Sequence, residues 1–239
     1  MSTFEQKAEA RTAVWDTLEA EGVARFPFPP HGRIPNFEGA AAAAERLFET
    51  TPLSDAHTLK VNPDAPQRFV RIEALRRGRV VFVPTPRLRA GFKRLDPQSI
   101  PSDELDAAAS LSHMDEWAEP VDLTDLPILD AIVTGSVAVT RGGRRCGKGE
   151  GYSDLEYALF RELGHAPVPV ATTVHPLQIV DGLPTDAHDL PLSFVVTPND
   201  TVAVTDPPAP PNGVDWAALP DGALDDMPVL AELRRRTAS

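Results

Sequence analysis

Short apolar runs rich in β-branched residues alternate with helix-patterned stretches along most of this chain, and that alternation constrains its fold more than any other feature. Runs at 58–61 and 79–83 flank a helix-patterned segment at 67–77, and the second, Val80-Val81-Phe82-Val83, is closed by Pro84. Apolar runs of this kind suit strands buried on both faces, and with a helix between them they form a βαβ-like unit. Another β-branched run spans 128–139 with Gly135-Ser136 as an interruption, and further candidate strands lie at 168–174, 193–197 and 202–205. Strands alternating with helices over this length predict a single α/β domain built on a mostly parallel sheet with helices on both faces. At 239 residues the chain suffices for one full core, and a second full domain is not expected.

Residues 3–22 read as an amphipathic helix, because Phe4, Ala8, Val14, Trp15 and Leu18 recur near helical spacing and Gly22 supplies a stop. Lys7 and Arg11 stand four apart and share a face of it. The stretch Pro27-Phe28-Pro29-Pro30 is a connector, residues 40–48 form a second helix of high intrinsic propensity, and 103–119 is mixed helix and loop. From Asp206 a Pro-Pro-Ala-Pro-Pro run forms a stiff extended linker, and the remainder is short, acidic and proline-spaced, with a small helix at 227–236. The expected division is therefore a domain over 1–205 and a tail over 206–239.

Composition removes several classes of function. Cys146 is the only cysteine, so an intramolecular disulfide and a thiolate-rich zinc site are excluded. His165 and His175 have no second ligand at metal spacing. The start of the chain has neither a basic nor an apolar leader segment, and no run of about 18 apolar residues exists, so the cytoplasm is the expected compartment and no membrane partner is expected. The net charge of −12 and the lack of a basic stripe argue against a nucleic-acid partner. Lys7, Lys60, Lys93 and Lys148 are the only lysines among 23 basic residues, against 35 acidic ones. That acid excess, with arginine in place of lysine, suggests a protein adapted to high salt, whose stability rises with ionic strength.

The chemistry-bearing segment runs from Arg141 to Asp154. Gly147, Gly149 and Gly151 alternate with other residues between a predicted strand and a helix to about Gly164, and Ser153-Asp154-Leu155-Glu156 has the capping-box pattern. Glycine permits positive φ and close backbone approach, so successive N–H groups can converge on an anion at the helix N-terminus. Arg144, Arg145 and Lys148 add full positive charges beside the same loop. A phosphate fits this arrangement, although a glycine-rich surface turn would use the same residues, and the spacing matches neither the P-loop nor the dinucleotide fingerprint. Cys146 beside the loop reads as a small packing residue rather than a nucleophile or redox sensor.

The run Arg145-Cys-Gly-Lys-Gly-Glu-Gly-Tyr-Ser-Asp154 resembles the Arg-x-Gly-x-Gly-x-Gly-Tyr-Tyr-Asp signature of the 5-formyltetrahydrofolate cyclo-ligase family. The order of surrounding features agrees: the Lys7/Arg11 pair, the apolar run ending at Pro84, the run before the loop, and His188-Asp189 followed by a strand and Thr197-Pro198. The resemblance spans about residues 4–204 and implies a Rossmann-like architecture similar to NagB/RpiA/CoA-transferase-like proteins. It implies ATP-dependent ring closure of 5-formyltetrahydrofolate to 5,10-methenyltetrahydrofolate, with release of ADP and phosphate, by a monomer or homodimer. Lys7, Arg11 and Arg144 would then hold ATP phosphates. Gly147, Lys148, Gly149, Glu150, Gly151 and Tyr152 would cradle the transferred phosphoryl group, with Lys148 and Arg145 as catalytic cations. Asp154, also part of the nucleotide site, and Asp189 would hold Mg2+.

The sequence departs from that signature at Ser153, Leu155 and Glu150, and Asn62-Pro-Asp-Ala stands where the family shows a Glu-x-Asp-Thr segment. The run Gly147-Lys-Gly-Glu-Gly-Tyr followed by Asp154-Leu-Glu-Tyr resembles the paralogous methenyltetrahydrofolate synthetase domain-containing branch. An ATP-using enzyme acting on another substrate, for instance a thiamine-related one, and a non-catalytic nucleotide- or folate-binding protein are the alternative readings. Taken singly, Lys7 and Arg11 suit a solvated helix face, His188-Asp189 suits a turn before a strand, and the cluster from Arg71 to Arg79 suits a cationic helix end. Trp15, Trp117 and Trp216 read as packing residues.

Overall fold

The computed structural model describes residues 2–219 and 222–237. Its strands are β1 (Ala24–Arg25), β2 (Asn36–Phe37), β3 (Thr58–Val61), β4 (Val80–Pro84), β5 (Phe92–Leu95), β6 (Glu119–Val121), β7 (Ala131–Val133), β8 (Ala138–Val139), β9 (Arg145–Cys146), β10 (Val170–Thr173), β11 (Phe194–Val196) and β12 (Thr201–Ala203). Its α-helices are α1 (Lys7–Ala20), α2 (Ala40–Leu47), α3 (Gln67–Arg76), α4 (Leu105–Ala108), α5 (Tyr152–Glu162), α6 (Ala223–Asp226) and α7 (Pro228–Thr237). The main sheet has eight strands in the order β12-β11-β10-β7-β3-β4-β5-β6.

The central strands β11, β10, β7, β3 and β4 are parallel, as the alternation with helices predicts. Antiparallel pairing is confined to the flanks, where β12 pairs with β11 and β5 and β6 follow β4. For β12 and β5 the reason is the short connection from the preceding strand. Pro198-Asn-Asp200 joins β11 to β12, with Thr197 Oγ1 accepting from the N–H groups of Asn199 (3.3 Å) and Asp200 (2.9 Å), and so short a turn returns the chain only antiparallel.

Period-2 alternation divides the sheet between two cores. Leu59, Val61, Val81, Val83, Ala131 and Val133 pack with α2 and α3, whereas Phe82 and Ile132 pack with α5 and α7 on the other face. Register places Lys60 directly between Phe82 and Ile132, on the α5 face. The segment from residue 206 contributes to this second core, where Val214, Met227, Leu230 and Leu233 are buried and the Val214 N–H donates to Glu162 Oε2 (3.0 Å).

Helix α1 begins at Lys7 rather than Thr3, because the preceding residues are held by Gly182: Thr3 bridges it and the Phe4 N–H donates to its carbonyl (3.1 Å). Ala10, Val14 and Leu18 then seat α1 against the β8–β9 hairpin through Val137, Ala138 and Cys146. Trp15 is buried there, its indole N–H donating to the Arg33 carbonyl (3.1 Å). No described helix is long and apolar enough to cross a membrane.

From β3 the chain moves to β4 on one side, and from β7 it moves to β10 on the other, so the connections diverge between β3 and β7. In open α/β sheets, ligands bind outside the carboxyl ends of strands at such a point. Residues immediately after β3 and β4 line one wide cleft.

Candidate functional site

The cleft has a volume of about 860 Å³ and gathers the face of α1, the turns after β3 and β4, the glycine loop after β9 and the turn 186–189. The loop leaves β9 at Cys146 and enters α5 at Tyr152. Gly149 has φ +108°, and Gly151, at the cap position of α5, has φ +73°, both conformations that L side chains rarely adopt. Among the described residues none accepts a hydrogen bond from the N–H groups of Tyr152, Ser153 or Asp154. The first turn of α5 therefore offers open donors and the positive end of its dipole to the cleft.

The capping box expected at Ser153 and Glu156 does not form. The cap is Gly151 in the left-handed region, two residues earlier, so Ser153 lies inside the helix and its hydroxyl accepts from Asn62 Nδ2 (2.9 Å). Glu156 points into the α5-side core and meets Lys60. Lys60 Nζ also donates to Asn62 Oδ1 (2.6 Å), so Glu156, Lys60, Asn62 and Ser153 form one buried polar chain from the end of β3 to the start of α5. Burial raises the Glu156 carboxyl above the usual range, with the Lys60 charge opposing the rise. The sequence signal for this pair was a lysine inside an apolar run that alternation places in a core.

Most of the expected binding residues converge. The ammonium of Lys7 donates to Asp189 (2.5 and 2.6 Å) and to Asp186 (2.7 Å). Burial works to lower the Lys7 pKa, but these hydrogen bonds and charges raise it overall, and the same contact lowers that of Asp186. Arg11 Nε donates to the Gly147 carbonyl (2.9 Å), tying α1 to the loop. Arg145 is buried and pairs with Asp154 (2.8 Å), whose Oδ1 also accepts from the Leu190 N–H (2.9 Å). Lys148 pairs with Glu150 across the loop (2.8 Å). Each of the four lysines of the chain is thus ion-paired, the last being Lys93 with Asp115.

Arg144 is not brought into the cleft. It precedes Arg145, and successive strand residues point to opposite faces, so its guanidinium turns away and donates to the Leu183 carbonyl (2.9 Å). Arg71 also departs from the cationic helix end expected of it. Arg76 and Arg77 are exposed there, but Arg71 is buried, donating to the carbonyls of Ala109 (2.9 Å) and Asn62. Burial lowers its pKa to about 9, against the opposing pull of Asp64. Asp64 lines the cleft beside it, and burial raises its carboxyl although Lys148, Arg71 and Lys60 all pull it down.

Asp154 and Asp189 both line the cleft, each already engaged by a cation. Asp186, His188 and Asp189 bring one donor atom each within 4.8 Å of one another. These oxygen-rich donors suit a hard divalent cation, which needs only one or two protein carboxylates when phosphates supply the rest.

Fold and site together define an α/β protein with a cleft at the carboxyl edge of its parallel strands, lined by cations and by open backbone donors. The profile of the 5-formyltetrahydrofolate cyclo-ligase family matches residues 4–198, and the chain belongs to that family. It is 40% identical over 237 residues to a mouse methenyltetrahydrofolate synthase domain-containing protein, covering 96% of this chain and 63% of that one. The human protein of the same name is 35% identical, with 96% and 62% covered. The chain therefore spans a little over three fifths of these curated relatives. An Escherichia coli 5-formyltetrahydrofolate cyclo-ligase is 28% identical over 161 residues, covering 66% of this chain and 86% of that one. The NMR structure of Aquifex aeolicus 5,10-methenyltetrahydrofolate synthetase shares the fold, with a TM-score of 0.52 at 17% identity over 84% of this chain and 93% of that one.

Proposed function

We propose that this protein is an ATP- and Mg2+-dependent cyclo-ligase that closes 5-formyltetrahydrofolate to 5,10-methenyltetrahydrofolate, releasing ADP and phosphate. The observation that carries this reading is the glycine loop, whose open helix-terminal N–H groups line one cleft with Lys7, Arg11, Arg145 and Lys148. In such a reaction the formyl oxygen takes the γ-phosphoryl group of ATP. N10 then attacks the activated carbon and phosphate departs. The chemistry asks the protein for positioning and charge stabilisation, with no protein nucleophile.

The roles follow from reach and charge. The amides of residues 147–154 and the dipole of α5 receive the terminal phosphates. Lys148 and Arg145 stabilise negative charge developing on the transferred group, while Lys7 and Arg11 hold the rest of the phosphate chain. Asp154 and Asp189 would hold Mg2+, which neutralises phosphate charge when bound. The buried chain from Glu156 to Ser153 fixes the start of α5 relative to β3, which orients the donors.

The Lys148–Glu150 pair favours a second reading, an ATP-using protein of the same family acting on another substrate, because a carboxylate in the loop neutralises a cation that phosphoryl transfer needs. Incubation with MgATP and 5-formyltetrahydrofolate, followed by methenyl absorbance and ADP, separates the two. Stoichiometric methenyl product and ADP support the ligase, whereas ATP binding without methenyl product transfers the case to the second reading.

A further inference from the structure

Part of the cleft wall carries cations that nothing in the described structure neutralises. Arg68 lies in the first turn of α3, and Arg87 lies in the hairpin between β4 and β5; both line the cleft. Among the described residues, the Arg87 side chain makes no hydrogen bond or ion pair, and Arg68 reaches only the Asp106 carbonyl at 3.4 Å. Of the other described cations in the cleft, Lys7, Arg145 and Lys148 are engaged by carboxylates and Arg11 and Arg71 by carbonyl oxygens, while the exposed Arg33, on the connector before β2, shows no side-chain hydrogen bond or ion pair either. In a chain of net charge −12, unpaired guanidinium groups beside a cleft are unexpected on composition alone.

Backbone geometry adds a second observation. Arg87 (φ 55°, ψ 26°) and Leu88 (φ 53°) both lie in the left-handed region, although neither is glycine. Such strain persists only where surrounding structure enforces it, and it clusters at ligand clamps. Here burial of Leu88 in the α5-side core enforces it, and Arg87 is left exposed on the cleft. The cleft is also lined by Leu111, a large apolar side chain that is 55% exposed, between Ser110 and Ser112 and just beyond the α4 segment that Arg68 reaches at Asp106.

We propose that Arg68 and Arg87 form the specificity site for a carboxylate on the second substrate, whose apolar body lies on Leu111. A guanidinium fork matches a carboxylate in two parallel hydrogen bonds, which a neutral or cationic heterocycle cannot reproduce. The inference rests on the function proposed above and deepens it. It selects the glutamyl end of a reduced folate as the group read at this wall, separate from the nucleotide phosphates read by the glycine loop.

The test compares 5-formyltetrahydrofolate with its derivative in which both glutamyl carboxyls are amides, by calorimetry on protein loaded with a non-hydrolysable ATP analogue, so that binding is read without turnover. The acid is expected to bind at least ~10-fold tighter than the diamide. Arg87→Gln and Arg68→Gln should each shrink that ratio without changing ATP affinity, whereas Arg89→Gln, an exposed position outside the cleft, should leave it intact. Equal binding of acid and diamide to the wild type, or a ratio unchanged in both variants, overturns the specificity site and leaves the folate reading standing. Binding of neither compound, with ATP still bound, overturns both.

Discussion

Lys60 and Glu156 form an ion pair inside the core between the sheet and α5, with Lys60 only 1% exposed and Phe82 and Ile132 flanking it on adjacent strands. An isolated charge at that depth would be expensive, so the pair, the Lys60 hydrogen bond to Asn62 and the Asn62 hydrogen bond to Ser153 act as one unit. The unit spans from the end of a central strand to the helix that follows the glycine loop, and so couples core packing to site geometry.

Lys60→Met leaves the Glu156 carboxyl buried without its cation and is expected to cost about 3–5 kcal/mol. Burial already raises the Glu156 pKa, and loss of Lys60 raises it further. A carboxyl whose folded pKa exceeds its unfolded value stabilises the fold below that value and loses the contribution as pH rises through the folded pKa. Urea denaturation should therefore show a larger deficit at pH 8 than at pH 5, and Lys60→Met/Glu156→Leu should recover most of it. A deficit independent of pH and not recovered in the double variant contradicts the pairing.

Glu150→Gln removes the acid that holds Lys148 (2.8 Å), and both side chains are partly exposed, so their pair contributes little to stability. The variant is expected to bind ATP roughly 3–10-fold tighter, because a carboxylate no longer faces the phosphates. Fluorescence titration with an ATP analogue measures this, and unchanged or weaker binding would remove Glu150 from the phosphate site.

Lys7 joins α1 to the turn at Asp186 and Asp189, and its linkage has two limits. Asp186 has a lowered pKa, so its contribution is present above the ordinary aspartate value of 3.8 and is lost as pH falls through the folded value. Lys7 has a raised pKa, so its contribution is present below 10.5 and is lost as pH rises through the folded value. The stability difference between wild type and Lys7→Met should therefore be widest between about pH 4 and pH 10 and shrink outside that window. A flat difference across pH would show that the ion pairs contribute nothing.

Leu230 in α7 is fully buried against the core that also holds α5. Leu230→Ala is expected to destabilise by about 2–5 kcal/mol, through lost transfer free energy and the cavity left behind. A thermal melt unchanged from wild type would show that α7 does not share that core.

The central strands and principal helices were legible because their apolar runs are short, β-branched and bounded by glycine or proline, as at Val80–Pro84. The position of the glycine loop was legible because alternating glycines interrupt the apolar run before it and the helical pattern after it, as they do between β9 and α5. What pattern did not reveal is tertiary. A capping box at Ser153 and Glu156 is locally favourable, but Gly151 takes the cap, and Glu156 answers a lysine far away in sequence. Arg71 falls in a basic cluster on helix α3, yet helical periodicity turns it inward while Arg76 and Arg77 face solvent. Arg144 and Arg145 are indistinguishable in sequence, and only strand phase separates the one in the cleft from the one outside it.

The central claim, that the backbone of the glycine loop receives nucleotide phosphates, is tested most directly by calorimetric titration of MgATP into wild type and Gly149→Val. At φ +108°, with Arg11 3.3 Å from where a Cβ would stand, a branched side chain strains the loop and crowds the phosphate approach. Wild-type protein should bind MgATP, and the folded variant should lose at least ~100-fold in affinity, on the order of 3 kcal/mol. Equal affinity in the two proteins would contradict the account.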